Sequence, residues 1–127
     1  KAREINYFMP TYIAQDFLKQ LIKQKINPVD CKVALLGFTF KENCPDIRNT
    51  KAYDLYLALI GLGLDVEIID PWADIEEVEN EYGLLVNNNL DFKAKSALLL
   101  AVGHKVIIEA CRSKIEKQYV YDFKNIL

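Results

Sequence analysis

The sequence holds one histidine, one tryptophan, one methionine and three cysteines, with no Cys-x-x-C pair among them. Cys31, Cys44 and Cys111 are odd in number and widely spaced, which excludes a structural zinc knot and points to a reduced, cytoplasmic setting. No G-x-G-x-x-G occurs: of the three glycines that such a turn needs, only Gly37 is present after the first apolar run. No apolar stretch reaches the roughly 18 residues that span a bilayer. Residues 1 to 12 are too polar for a secretion signal. Charge of one sign is not in excess either. A formal net charge of -2 gives no overall attraction for nucleic acid or an anionic membrane, so any anion must be held by a local cluster. The first residue is Lys1, and the chain reads as a segment of a longer protein.

What is present is a core-forming chain of 127 residues, 51% hydrophobic, suited to one domain with an attached piece of another. Ile13, Ala14, Phe17, Leu18, Leu21 and Ile22 form one stripe of an amphipathic helix, with Thr11 as its expected N-cap and Asn27-Pro28 as its end. Strands and helices then alternate. Lys32 to Leu36 reads as a buried strand. A helix follows, capped by Asn49 or Thr50, facing inward through Ala52, Tyr53, Tyr56, Leu59 and Ile60, and closed by Gly61 and Gly63. Asp65 to Asp70 reads as a strand, Ile75 to Tyr82 as a short acidic helix, and Gly83 to Val86 as a weak strand. Leu90 to Lys95 reads as a helical turn, Ser96 to Val102 as the most apolar strand, Lys105 to Lys117 as a helix and Tyr119 to Phe123 as a last strand. Continuous apolar strands alternating with helices predict a three-layer, doubly wound α/β fold around a mainly parallel five-stranded sheet, preceded by an N-terminal helix. Strand order 3-2-1-4-5 would set the loops 37 to 48 and 102 to 105 on either side of the switch-point crevice, where such sheets bind ligands.

The loop Gly37-Phe38-Thr39-Phe40-Lys41-Glu42-Asn43-Cys44-Pro45-Asp46-Ile47-Arg48-Asn49-Thr50 carries two cations, Lys41 and Arg48, and an aromatic, Phe40. These parts suit an anionic, ring-bearing ligand held by side chains more than by bare backbone. Arg48 has two readings: a fork on phosphate, or a partner of Asp46 that pins the loop. His104 and Lys105 follow the carboxyl end of the fourth strand and are site candidates by position, and His104 also reads as a loop histidine with a hydrogen-bond partner. Asp70 stands where a dinucleotide-binding domain keeps its ribose-binding acid. Without the glycines it reads as a turn residue before Pro71. Trp72 reads as a packing residue and Cys44 as a weak candidate nucleophile.

The same loop resembles the signature segment of the UDP-binding C-terminal domain of the UDP-glucose/GDP-mannose dehydrogenase family. Asp70-Pro71-Trp72-Ala73-Asp74 and Glu81-Tyr82-Gly83-Leu84 are similar to the branch acting on UDP-N-acetylhexosamines, which feeds polysaccharide and O-antigen synthesis. Arg3-Glu4-Ile5-Asn6 and Met9-Pro10-Thr11-Tyr12 resemble the end of the family's central helical region, and Tyr121 to Leu127 its closing strand. The resemblance implies residues 1–27 as the end of a helical dimerisation region and 28–127 as a Rossmann-like UDP-sugar-binding domain. It implies a parent enzyme that oxidises a nucleotide sugar at C6 to the uronate with NAD, as a cytoplasmic homodimer. NAD and the catalytic cysteine would belong to upstream parts, leaving no catalytic residue, no cofactor and no metal on this segment. By position, Phe40 and Lys41 would contact the UDP-sugar. His104 and Lys105 stand where the family has Asp-Gly-Arg or Ala-His-Asp, and are carried as further substrate contacts. Asp46 and Arg48 remain structural or phosphate-binding. Two other functions compete: a free-standing nucleotide-binding or regulatory module without catalysis, and a small complete enzyme using Cys44 or His104.

Overall fold

The computed structural model describes residues 9–39, 43, 45–48, 50–114 and 118–122. The first helix, α1 (Pro10–Lys23), starts two residues earlier than the Thr11 cap predicts: Pro10 takes N1, and Met9 at the N-cap offers no side-chain hydrogen bond. Proline at N1 has its φ already set for the helix and no N–H to satisfy, so the start needs no hydroxyl cap. The helix ends at Lys23, before Asn27-Pro28, as Lys25 turns left-handed at φ 63°.

Strand β1 (Lys32–Leu36) has the predicted bounds and leads to α2 (Ala52–Gly61). Thr50 Oγ1 accepts from the Ala52 N–H at 3.2 Å, and Asn49 lies outside the described residues. The buried face of α2 is Ala52, Leu55 and Leu59, with Tyr53 and Tyr56 half-buried and Ile60 exposed. The helix is apolar on nearly every side, so its sequence does not declare its rotation. Next come β2 (Asp65–Ile69), α3 (Ile75–Tyr82), β3 (Val86–Asn87), β4 (Ala97–Leu100), α4 (Lys105–Lys114) and β5 (Tyr119–Tyr121). Helix α3 begins where Asp74 Oδ1 accepts from the Glu77 N–H at 3.1 Å and stops at Gly83, left-handed at φ 69°. The helical turn expected between Leu90 and Lys95 is instead a single reverse turn closed by Lys95 N–H to Phe92 O at 3.0 Å.

The five strands form one sheet in the order β3-β2-β1-β4-β5, and every pair is parallel. Successive residues of the central strands point to opposite faces. Val33, Leu35, Ala97 and Leu99 join Phe17, Leu21, Leu55, Leu59 and Val78, from α1, α2 and α3, in one core layer. Ala34, Leu36, Leu98 and Leu100 join Phe92, Ile107 and Cys111 in the other. Helix α1 is tied to the far end of the chain: the Tyr121 hydroxyl donates to Asp16 Oδ2 at 2.5 Å, and Tyr121 meets Phe17 edge-on at 5.5 Å. Burial, reinforced by Asp16, pushes the Tyr121 phenol far above its ordinary range.

Candidate functional site

The chain leaves β1 toward β2 and β3 on one side and reaches β4 and β5 on the other, so the switch point lies between β1 and β4. Their loops touch. Ala101 and Val102 both donate backbone N–H groups to Leu36 O, at 2.8 and 3.2 Å. Gly37, at φ +99°, leaves no room for a side chain: a Cβ there would lie 2.6 Å from Val102 Cβ and 2.7 Å from Val102 N. Glycine is required at this turn for both reasons.

Above that contact sits a buried polar cluster. Asp70, directly after β2, is fully buried, and its Oδ2 accepts from Phe38 N–H at 2.6 Å and Thr39 N–H at 3.0 Å. Its Oδ1 accepts from Trp72 N–H at 2.7 Å. His104 is also fully buried. Its Nδ1 accepts from the Asn43 N–H at 2.7 Å. A backbone N–H can only donate, so in the neutral ring the proton sits on Nε2, facing Thr39 Oγ1 at 2.8 Å and Asp70 Oδ2 at 3.1 Å. Burial pushes the Asp70 carboxyl up, but the hydrogen bonds from His104, Phe38 and Trp72 outweigh it and hold it below the usual carboxylate range. Asn43 closes the circuit: left-handed at φ 58°, it accepts at Oδ1 from the Lys105 N–H at 3.0 Å, the first N–H of α4.

The loop after β1 is therefore held at several points. Phe38 and Ile47 sink into the core on either side of it. The Tyr82 hydroxyl donates to Ile47 O at 2.6 Å, and the Tyr82 ring stands edge-on to Phe38 at 5.3 Å. Arg48 lies over Asp46 as a fork, Nε on Oδ1 and Nη2 on Oδ2, each at 3.0 Å, with its side chain 82% exposed. Lys105 is exposed beside the cluster, and Trp72, 40% exposed, has its ring 6.1 Å from that of His104. Phe40, Lys41 and Cys44 lie outside the described residues. Cys31 and Cys111 are buried, and burial pushes both thiols up, Cys111 to about 11, so neither offers a thiolate. Among the described residues no group of three His, Cys, Asp or Glu could hold a metal ion, and no helix is long and apolar enough to cross a membrane.

Sequence reasoning brought the 37–48 loop, His104 and Lys105 to one crevice. It missed Asp70 as the hub of that crevice, and of its two readings of His104, a substrate contact and a loop histidine with a hydrogen-bond partner, the second matches the protein partners found at both ring nitrogens. The available signal was positional: an Asp and the only His each follow an apolar strand at its carboxyl end. The turn does not fit a dinucleotide pyrophosphate. The N–H groups of Phe38 and Thr39 are spent on Asp70, and the space beside Gly37 is filled by Val102. A separate groove of about 550 Å³, lined by Lys32, Tyr56, Asp65, Leu84, Leu85 and Lys95 among others, includes none of the crevice residues. Its lysines pair with acids, Lys32 with Asp65 at 3.0 Å and Lys95 with Glu67 at 2.8 Å, so it presents no cluster of one charge to an anion.

Comparison with known proteins gives one family. Residues 34–127 match the UDP-binding domain of the UDP-glucose/GDP-mannose dehydrogenase family. The chain is 38% identical to a UDP-N-acetyl-D-glucosamine 6-dehydrogenase of Salmonella typhi, over 98% of this chain and 31% of that protein. It is 37% identical to the Staphylococcus aureus protein CapL, over 98% of this chain and 30% of that protein. A solved UDP-N-acetyl-mannosamine dehydrogenase of S. aureus superposes with a TM-score of 0.70 at 26% identity, covering 93% of this chain and 27% of that one. This chain thus spans about three tenths of the length of the curated relatives it matches. With the loop, the switch-point crevice and the sheet order all in place, the chain belongs to the UDP-glucose/GDP-mannose dehydrogenase family, as its UDP-binding domain.

Proposed function

We propose that the crevice between the loops after β1 and β4 binds the UDP moiety of a UDP-sugar, and that the chain serves an NAD-dependent nucleotide-sugar 6-dehydrogenase that converts a UDP-hexose or UDP-N-acetylhexosamine to its uronate. The observation that carries this is the match of residues 34–127 to a UDP-binding domain, because that span contains every residue of the crevice. Relatives named as dehydrogenases of UDP-N-acetyl-D-glucosamine and UDP-N-acetyl-D-mannosamine support the acetylhexosamine as substrate class. Phe40, Lys41 and Lys105 are assigned to the ligand, while Asp46 and Arg48 shape the loop. When bound, NAD supplies hydride acceptance. This chain's part is to hold the nucleotide half of the substrate through the side chains of its loops, since the turn after β1, with Phe38 and Thr39 N–H spent on Asp70, lacks the backbone cradle that a dinucleotide such as NAD uses. NAD binding and the reacting cysteine are assigned to regions of the parent beyond the matched three tenths, a dimer interface to the helical region that residues 1–27 end, and the setting to the cytoplasm.

Calorimetric titration of this chain with UDP, UDP-glucose and UDP-N-acetylglucosamine tests the proposal. UDP alone should give saturable heat, and Lys41→Ala should weaken it by roughly 1.5–3 kcal/mol, the worth of a hydrogen bond to a charged group. Absence of binding by all three ligands would refute it.

A further inference from the structure

We propose that His104 is a positioning residue, which sets the affinity of the crevice for UDP by clamping the loop after β1 to the start of α4. The inference rests on the assignment of UDP to this crevice and goes beyond it by removing His104 from the ligand contacts. Three observations carry it. The ring is fully buried and both nitrogens are engaged by protein, so a ligand atom could reach either only by displacing Asn43 N–H or Asp70. The ring joins three separate parts of the chain: Thr39 and Asn43 in the first loop, Asp70 at the end of β2, and its own position before α4. And Asn43, exposed to solvent, is held left-handed by two bonds, one from its N–H to the ring and one from the Lys105 N–H to its side chain. An exposed residue adopts that conformation at a cost unless its surroundings fix it.

The two halves of the clamp can be separated. In His104→Asn, the side-chain oxygen can take the place of Nδ1 and still accept from Asn43, while the link to Asp70 is lost. In His104→Gln, the longer amide can still donate to Asp70, while the Asn43 N–H loses its acceptor. UDP affinity is read by calorimetry and the clamp by hydrogen exchange at the Asn43 amide. His104→Gln should expose that amide and weaken UDP by about tenfold. His104→Asn should keep the amide protected and hold UDP within about threefold of the parent. Equal weakening in both variants with the amide protected would assign His104 to direct ligand contact, and parent-like affinity in both would reduce it to a core residue; either overturns the proposal. If the histidine variants do not fold, Asn43→Gly removes the link to Lys105 from an exposed position. Weaker UDP binding at an unchanged melting temperature then supports the clamp, and unchanged binding refutes it. Failure of the parent to bind UDP defeats the ligand assignment instead, and protection of the Asn43 amide in His104→Gln would still defeat the clamp.

Discussion

Replacing Asp70 with Asn changes one oxygen for an NH2 group in the most connected side chain of the crevice. The carboxylate serves four donors, Phe38 N–H, Thr39 N–H and His104 Nε2–H on Oδ2, and Trp72 N–H on Oδ1. The amide keeps the most bonds by placing its oxygen at the Oδ2 position, which sets its NH2 against Trp72 N–H. One donor is then orphaned at about 1–3 kcal/mol, and three bonds lose the extra strength that a charged acceptor gives. Against this, a buried charge no longer has to be desolvated. The balance is a loss of about 2–3 kcal/mol. At 127 residues, an unfolding entropy of about 2.1 cal/mol/K per residue makes that a fall in Tm of roughly 7–11 °C. Circular dichroism gives the melt, and Trp72, the only tryptophan, reports the local change by fluorescence. The pH dependence has a definite sign. The Asp70 carboxyl is held below its usual value in the fold, so its contribution is complete above the unfolded value of about 3.9 and is lost as the pH falls through the folded one. Asn does not titrate, so the gap between parent and variant should be full at neutral pH and narrow below about pH 4. A Tm within about 3 °C of the parent at pH 7, or a gap that stays constant into acid, would refute this account of the cluster.

Gly37→Ala should destabilise by about 2–5 kcal/mol, since the new methyl meets Val102 at 2.6 Å on a backbone with φ +99°; a urea midpoint equal to the parent's would show that the β1 and β4 loops separate freely. Arg48→Lys keeps the charge and loses the fork on Asp46, and because the side chain is 82% exposed the apo Tm should fall by only about 1–3 °C. An unchanged apo melt with a smaller UDP-induced rise in Tm would instead place Arg48 on phosphate.

Strands that are buried on both faces were legible because their apolar runs are continuous: β1 has its predicted bounds, and β4 lies inside the run that marked it. Helix α3 was legible from Asp74 and Gly83, residues whose capping chemistry is local. The rotation of α2 was not, because Leu55 and Ile60 are equally apolar and only α1 and the sheet decide which of them is covered. The crevice was legible as a place and not as a circuit. A strand end tells that Asp70 and His104 share the carboxyl edge, whereas their bond depends on β1 lying between β2 and β4 and on its loop folding back over both. Asn43 gave no signal, since its role rests on a backbone angle.

The bond between Tyr121 and Asp16 spans 105 residues of sequence. Asp16 leaves the ribosome well before Tyr121, so during translation the underside of α1 waits without its final partner while Phe17 lacks the ring it meets in the finished fold. Contacts this distant in sequence are entropically costly and form late. The nascent chain therefore carries an uncovered apolar stripe until β5 emerges, which makes that interval the moment at which a chaperone or a neighbouring nascent chain has most to bind.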